Sequence, residues 1–346
     1  MKALFIGLGS IGQRHLRNLA TLDPDIDLMA VRSIRTAPTL SSTNQVIEGV
    51  SIKDQYQITE FEDLDLALSH KPDMVFITNP TSMHVEVARE ALKSGAYIFM
   101  EKPISHNNEG IKELLELESS FGREKICVGY QFRFNPALKF LEETLKNKVV
   151  GNVVSAQLIN GEYMPGWHPY EDYRDSYAAR QELGGGALVT QIHDFDYAIW
   201  LFGSPSAIFA VGGKLSNLEI DVEDSVQVLM KCKGIPINIQ LDYLQWPPRR
   251  DIFITGDKGS IHCNLSSMEV VVNQREGQKI DTQTFPNFNR NDLFLDEVEN
   301  FLAFVNGQEA PKVNLKEGVA SLHIALAAKK SMESGVVQYF EPRSVE

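Results

Sequence analysis

The stretch Met1-Lys2-Ala3-Leu4-Phe5-Ile6-Gly7-Leu8-Gly9-Ser10-Ile11-Gly12-Gln13-Arg14-His15-Leu16 decides how this chain is read. Ala3 to Ile6 is a short apolar run, the pattern of a strand buried on both faces. Ile11, Leu16 and Leu19 then recur at helical spacing. Between the two lies Gly7-Leu8-Gly9-Ser10-Ile11-Gly12, a G-x-G-x-x-G in the strand-turn-helix context that gives it meaning. Gly7 permits the tight turn, Gly9 lets backbone approach a pyrophosphate, and Gly12 lets helix and strand pack closely. The helix N-terminus, with its unpaired N–H groups, then faces the phosphates. Gly7, Gly9, Ser10, Ile11 and Gly12 are thus expected to form a dinucleotide site; the bland alternative is a glycine turn between packed elements. The opening run does not read as a signal peptide, because glycines and Gln13-Arg14-His15 interrupt it and no small-residue cleavage site follows.

Working outward, Leu28–Val31, Met74–Ile77, Tyr97–Met100 and Ile126–Val128 are further short apolar runs. Helical patterns separate them: Val85, Ala88, Ala91 and Leu92 closed by Gly95, then Ile111, Leu114, Leu115 and Glu118. Buried runs alternating with amphipathic helices predict an α/β Rossmann domain, a doubly wound parallel sheet, over residues 1–124. From about Val153 the texture changes. Ile237, Ile239 and Leu241 alternate with Asn238, Gln240 and Asp242. Ser225–Met230, Asp251–Thr255, Ser260–Cys263 and Glu269–Asn273 are similar runs at short spacing with Gly-rich turns. This predicts a C-terminal α+β domain, residues 125–346, with an open and mostly antiparallel sheet. Helical stretches near Leu293–Val305 and Lys316–Met332 follow, and no internal repeat is visible.

A length of 346 residues suits two domains at roughly 150 residues each. Acidic residues outnumber basic ones 46 to 33, so a formal charge of −13 argues against a nucleic-acid or anionic-membrane partner. No apolar run approaches the roughly 18 residues of a transmembrane helix. Cys127, Cys232 and Cys263 lie far apart, with neither disulfide nor metal-ligand spacing, so a reducing cytoplasm and no metal are expected.

An acidic residue about 20 residues past the glycines would hold the hydroxyls of an adenosine ribose. The corresponding stretch, Val31-Arg32-Ser33-Ile34-Arg35, has no carboxylate. Arg32 and Arg35 suit a 2′-phosphate, and Ser33 can donate a hydrogen bond to it. NADP(H) is therefore favoured over NAD(H); the alternative is two solvated arginines at a strand end.

Thr78-Asn79-Pro80-Thr81-Ser82-Met83-His84 and Glu101-Lys102-Pro103 each follow a strand run, at the carboxyl edge of the sheet where ligands bind. Gly129-Tyr130-Gln131-Phe132-Arg133-Phe134-Asn135-Pro136 and Gly184-Gly185-Gly186-Ala187-Leu188-Val189-Thr190-Gln191-Ile192-His193-Asp194-Phe195-Asp196 come later. Together with the glycine fingerprint, these segments resemble the Gfo/Idh/MocA family, named for glucose–fructose oxidoreductase and inositol dehydrogenase. The resemblance runs from Met1 to about Val337. It implies a Rossmann domain followed by an α/β domain with an open antiparallel sheet. It also implies NAD(P)-dependent hydride transfer to or from the secondary alcohol or ketone carbon of a sugar, cyclitol or sugar derivative. The family lysine maps onto Lys102 and the family histidine onto His193. Thr78, Asn79, Pro80, His84, Glu101, Lys102 and Arg133 are the accompanying cofactor-side candidates. Many members carry an aspartate a few residues before that histidine. Here Thr190 stands in its place, so an aspartate-assisted proton relay is not expected to carry over unchanged.

The residue chemistry points the same way. Alcohol oxidation needs a base for the hydroxyl proton, and an imidazole has an unperturbed pKa near operating pH. Lys102 suits the developing alkoxide, and Pro103 constrains the backbone that aims it. The structural alternatives are a packed histidine and a surface lysine. Asp194 and Asp196 flank His193; one orienting the ring and one capping a helix both remain open.

On the substrate side, residues 161–182 are polar, aromatic-rich and aperiodic. Tyr163, Trp167, Tyr170, Tyr173 and Arg174 suit a polyhydroxylated ring, alongside Lys102, Thr190 and His193; the alternative is a surface loop packed on the domain. Arg133, Asn135, Arg174 and Arg180 suit an anionic group on that substrate. The resemblance further implies a homodimer or homotetramer through the open sheet face, around Asn238–Asp242 and Asp251–Thr255. Two rivals stand beside the dehydrogenase: a non-enzymatic NADP-binding regulator, and a glycoside hydrolase that recycles a held NAD. The presence of both Lys102 and His193 favours the enzyme over the regulator.

Overall fold

The computed structural model describes residues 1–32, 38–168 and 170–340. The first part of the chain runs β1 (Lys2–Ile6), α1 (Ser10–Leu22), β2 (Asp27–Val31), α2 (Ile52–Tyr56), β3 (Thr59–Phe61), α3 (Leu64–Ser69), β4 (Met74–Ile77), α4 (His84–Lys93), β5 (Tyr97–Glu101), α5 (Ile111–Ser120) and β6 (Ile126–Gly129). The six strands pair in the order β3-β2-β1-β4-β5-β6, every pair parallel. This is the doubly wound order with its topological switch between β1 and β4, the crevice where dinucleotides bind. Met74, Val75, Phe76 and Ile77 are wholly buried, which is why β4 reads as unbroken apolar sequence without alternation. The sheet ends at β6, C-terminal to residue 124.

The remainder runs α6 (Pro136–Lys146), β7 (Val153–Gly161), α7 (Ala187–Thr190), α8 (His193–Phe202), β8 (Pro205–Gly213), β9 (Ser225–Cys232), β10 (Ile235–Asp242), β11 (Arg249–Gly256), β12 (Gly259–Asn264), β13 (Glu269–Gln274), β14 (Lys279–Thr284), α9 (Arg290–Val305), α10 (Leu315–Ser334) and β15 (Gln338–Tyr339). These strands form one sheet in the order β14-β13-β12-β11-β7-β10-β9-β8-β15. All pairs are antiparallel except β10 with β7. The period-two pattern is explained by one cross-strand row, Ile208, Met230, Ile237, Ala156, Ile254, Ile261 and Val272, which is buried under helices including α6, α7 and α10. The row one residue along (Phe209, Leu229, Asn238, Gln157, Phe253, His262 and Val271) lies on the opposite, open face.

α9 crosses back. It packs against α1, and its Phe301 meets Phe76 and Phe99 edge-on at 5.2 and 5.5 Å. Val298, Phe301 and Phe304 thus close one face of the first sheet, although they lie far from it in sequence. Asn289 caps α9 by accepting a hydrogen bond from the Asn291 amide. Asn291 in turn accepts from Arg14 Nη1 at 3.0 Å and donates to Asn18 at 2.9 Å, tying the start of α9 to α1. Among the described residues no helix is long and apolar enough to cross a membrane.

Candidate active site

The glycine loop has the geometry the motif requires. Gly7 sits at φ +93°, a conformation that disfavours a side chain. A Cβ on Gly12 would stand 2.4 Å from the Gly7 carbonyl oxygen and 2.7 Å from Thr78 Oγ1, so helix and strand meet at hydrogen-atom distance there. A Cβ on Gly9 would meet nothing within 4 Å, leaving open space where backbone faces a ligand. Among the described residues no side chain caps α1, and no acidic residue occupies its first turn, which suits an anion at its N-terminus. Thr78 Oγ1 donates to the Gly7 carbonyl at 2.6 Å and holds the turn. Beside it, both side-chain polar atoms of Asn79 are buried without a partner among the described residues. An open glycine cradle, a free helix end and an unpartnered amide fit a dinucleotide.

The other cofactor-side expectations divide. His84 is buried and bridges the loops, its Nε2 2.8 Å from the Asn79 carbonyl and its Nδ1 2.8 Å from that of Pro103. It braces the strand ends instead of facing a ligand. Pro80 follows Asn79 at the same edge. Arg32 is already engaged, its Nη1 2.8 Å from Glu60 Oε1, so its guanidinium is not the free one expected for a 2′-phosphate. Glu60 comes from β3, which pairs beside β2 only in the folded sheet. Ser33 and Arg35 lie outside the described residues. Arg133 makes a buried bidentate pair with Asp196, at 2.7 and 2.9 Å, and stacks on Trp200. Those partners engage its guanidinium within the protein.

At the reaction end, Lys102 follows directly on β5. Its Nζ donates to the Thr190 carbonyl at 3.1 Å, which joins the end of the first sheet to α7. Glu101 is buried; Oε1 lies 2.7 Å from His15 Nε2, and Oε2 accepts from the Lys102 amide at 3.2 Å. Glu101 therefore anchors Lys102 from behind. His193 opens α8, is 5% exposed, and has its Nδ1 buried without a partner among the described residues. Tyr130 and Phe132 pack edge-on against its ring, with centroids at 5.6 and 5.0 Å. Neither flanking aspartate holds that ring. Asp194 accepts from Asn160 at 2.7 Å and from the Tyr197 hydroxyl, while Asp196 serves Arg133.

Two basic residues that no local sequence signal marks, Arg250 and Arg290, also face this site. The Arg250 guanidinium lies 4.5 Å over the Phe132 ring, one ring away from His193, and its Nη2 is 3.6 Å from Asp194. Its Nε is buried without a partner among the described residues. Arg290, at the start of α9, acts electrostatically on Lys102, His193 and Arg250. Burial pushes the His193 pKa well below 6.5, and the charges of Lys102, Arg250 and Arg290 push it further. Burial also lowers Lys102; Glu101 opposes this, and Arg250 and Arg290 add to it. The imidazole is therefore neutral at pH 7, as a base requires.

In the loop expected to meet the sugar, Tyr170 bonds Ser10 of the glycine loop, and several other side chains are engaged with protein partners. Arg174 is exposed and taken by Asp172 and Glu219, and Tyr173 accepts from the Glu219 amide at 3.2 Å. Tyr163 is 42% exposed. Trp167 packs edge-on against Tyr243 at 5.0 Å, with its indole N–H buried and unpartnered. The anion-binding set of Arg133, Asn135, Arg174 and Arg180 does not converge: Asn135 caps α6 and Arg180 Nε donates to the Arg174 carbonyl.

A parallel sheet with an open glycine loop, facing a lysine and a neutral buried histidine across the strand ends, defines a nicotinamide-dinucleotide oxidoreductase. Residues 1–130 match the oxidoreductase family Gfo/Idh/MocA, NAD-binding Rossmann fold, and residues 139–262 match the Gfo/Idh/MocA C-terminal domain; the chain belongs to this family. It is 27% identical over 343 residues to the myo-inositol 2-dehydrogenase of Thermotoga maritima, covering 96% of each chain. It is 25% identical to the scyllo-inositol 2-dehydrogenase (NAD(+)) of Bacillus subtilis, over 97% of this chain and 95% of that one. Among solved structures, the fold is shared with the WlbA dehydrogenase of Bordetella pertussis in complex with NADH and UDP-GlcNAcA. That match has a TM-score of 0.79 at 20% identity, over 99% of both chains. Levoglucosan dehydrogenase in complex with NADH and L-sorbose superposes with a TM-score of 0.82 at 17% identity, over 98% of both chains. The protein is an NAD(P)-dependent oxidoreductase acting on CH–OH groups.

Proposed function

We propose that this enzyme oxidises a secondary alcohol, or reduces the matching ketone, on a sugar or cyclitol derivative that carries an anionic group. The observation that carries the reading is the convergence of Lys102, through Thr190, with His193 at the strand ends facing the glycine loop. Neutral His193 accepts the hydroxyl proton. The Lys102 ammonium donates to the same oxygen and stabilises the alkoxide as charge develops. When bound, the nicotinamide ring takes up or returns the hydride. Gly7, Gly9, Ser10, Ile11 and Gly12 hold the pyrophosphate through main-chain groups, with Thr78, Asn79, Pro80 and Glu101 lining the same edge. Thr190 holds Lys102 through its main-chain carbonyl, a contact that does not depend on the side chain at that position.

The anionic preference rests on charge. Lys102, Arg250 and Arg290 face one site in a chain whose net charge is −13. Arg250 carries a buried Nε–H with no acceptor, which a carboxylate or phosphoryl oxygen on the substrate satisfies. Trp167, Tyr163, Tyr173 and Arg174 are left as rim residues.

Cofactor preference turns on the Arg32–Glu60 pair. A guanidinium neutralised at 2.8 Å is a poor partner for a 2′-phosphate, and Glu60 repels one. This favours NAD(H) and weakens the expectation of NADP(H). The open row Phe209, Leu229, Asn238, Gln157 and Phe253 supports assembly of at least two copies through that face; a sedimentation mass of 38.8 kDa would refute it. The three cysteines are free and buried, which fits a reducing compartment such as the cytoplasm.

The test is nicotinamide absorbance with neutral sugars, cyclitols, uronates and sugar nucleotides, each with NAD(H) and NADP(H). Turnover with an acidic class supports the reading. Turnover confined to neutral cyclitols rejects the anionic part, and released reducing sugar without net absorbance change rejects the dehydrogenase.

A further inference from the structure

Glu297 has no role in the reaction above, yet it is the most conspicuous unpartnered group near it. It sits on α9 at 1% exposure, and neither carboxyl oxygen has a hydrogen-bond partner among the described residues. His15, Glu101 and Glu297 each offer one polar atom, all within 4.8 Å of one another. Glu101 in this cluster is the residue that holds both His15 and the Lys102 amide. α9 thus delivers a second carboxyl, from almost 200 residues downstream in sequence, to the back of Lys102.

A carboxylate buried without donors is strongly disfavoured, so something neutralises it. One candidate is a cation shared by the three side chains. Two ligands about 2.1 Å from a tetrahedral metal stand roughly 3.4 Å apart. His15 Nε2 and Glu101 Oε1 stand 2.7 Å apart, which is a hydrogen bond and too close for two ligands of one ion. The other candidate is a proton. The groups facing Glu297 are Glu101 and Lys102 at the end of β5, His15 on α1 and Cys127 on β6. Burial first, and then the Glu101 charge, push the Glu297 carboxyl well up, with Lys102 opposing. Glu101 accepts from His15 and Lys102 but retains further lone pairs.

We propose that Glu297 is a positioning residue for Lys102: as a neutral carboxylic acid it directs its proton toward Glu101 through one bridging water, and so fixes the carboxylate that anchors His15 and the Lys102 main chain. The proposal rests on the reading of Lys102 as a reacting group, but its chemical core, a proton resident on Glu297, is measured without turnover. With Glu297 neutral, only one full negative charge lies behind Lys102. The ammonium is then free to reach forward to Thr190 and the substrate oxygen.

The decisive measurement is the infrared difference spectrum of the full-length protein and Glu297→Gln at neutral pH. The expected result is loss of one carboxylic-acid carbonyl band in the variant. Absence of that band overturns the proposal, as does a stoichiometric metal ion in purified wild type that Glu297→Gln loses. The kinetic arm uses Glu297→Leu, which has no donor. It lowers kcat about tenfold or more through misplacement of Lys102, with the cofactor KM little changed. Glu297→Gln, which keeps an N–H donor, recovers most of that loss. A Leu variant with the melting temperature and full kcat of wild type overturns the positioning role. If Lys102→Met itself turns over normally while the infrared band is present, the reading of Lys102 has failed and the proton on Glu297 has not.

Discussion

The cofactor end and the reaction end of the site are built in opposite ways. The cofactor end is made of backbone. Its turn, its open approach and its helix dipole come from six consecutive residues, Gly7 to Gly12, and Thr78 Oγ1 adds a pin. The reaction end is made of side chains from separate places: Lys102 after β5, His193 at the head of α8, Arg250 on β11 and Arg290 on α9. Backbone geometry is local, so a site made of it is written in consecutive letters. A site made of side chains exists only once distant elements pack, and its electrostatics belong to the assembly.

The helix shared by the two ends gives the largest expected effect. Phe301 is wholly buried between Phe76 and Phe99, so Phe301→Ala leaves a cavity and destabilises by about 3–5 kcal/mol. Denaturant unfolding measures it. A loss under about 1 kcal/mol would mean that α9 is an accessory of the first sheet and not part of its core. Next come the reacting groups themselves. Lys102→Met and His193→Ala are each expected to lower kcat by about a hundredfold or more while leaving dinucleotide affinity near wild type. Equal loss of cofactor binding would erase the distinction between the ends. Near-normal turnover in either variant would remove that residue from the chemistry.

Much of this was legible before folding was considered. The parallel sheet followed from unbroken apolar runs, and the second sheet from alternation whose inward positions form the row Ile208 to Val272. Lys102 and His193 were reachable because each stands beside a local signal, a strand end and a glycine turn. Arg250 was not. It sits in Pro247-Pro248-Arg249-Arg250-Asp251, where nothing local separates a site residue from a surface one, and only the Phe132 ring beneath it shows its place. Arg133 misled for the same reason: its segment is at the site, but its guanidinium turns to Asp196. Arg32 looked free because Glu60 is 28 residues away in sequence and adjacent only across β2 and β3.

Arg250 sharpens the electrostatic half of the comparison. Its charge, with those of Lys102 and Arg290, holds the His193 pKa below its burial-lowered value. A base works when neutral, so the acid limb of kcat/KM lies below pH 6.5 in the wild type. Removing a positive charge lets the imidazolium form at higher pH. Arg250→Met is therefore expected to move the acid limb upward by a fraction of a unit to about one unit. It is also expected to raise the KM of an acidic substrate about tenfold, with little change for a neutral one. A limb that stays put in the pH profile would place Arg250 outside the field felt by His193. An equal KM change for both substrates would assign it to packing on Phe132.

The smallest effect lies at the cofactor end, in the one place where that end also depends on a side-chain pair. Arg32 and Glu60 meet at 2.8 Å with 17% and 26% of their side chains exposed, so solvent screens the pair and its worth to stability is modest. Its consequence for selectivity is larger than for stability, because a 2′-phosphate brings about two negative charges to the same spot. With Glu60 present, the phosphate meets a neutralised guanidinium and a carboxylate. With Glu60→Gln, it meets an unpaired guanidinium and an amide donor. The ratio of kcat/KM for NADPH over NADH is expected to rise several-fold, about 1 kcal/mol in differential binding, with kcat for either cofactor unchanged. Arg32→Ala in the Glu60→Gln background should remove that gain. If the ratio does not move in Glu60→Gln, discrimination at the ribose is set by main chain, and this corner too is built like the rest of the glycine loop.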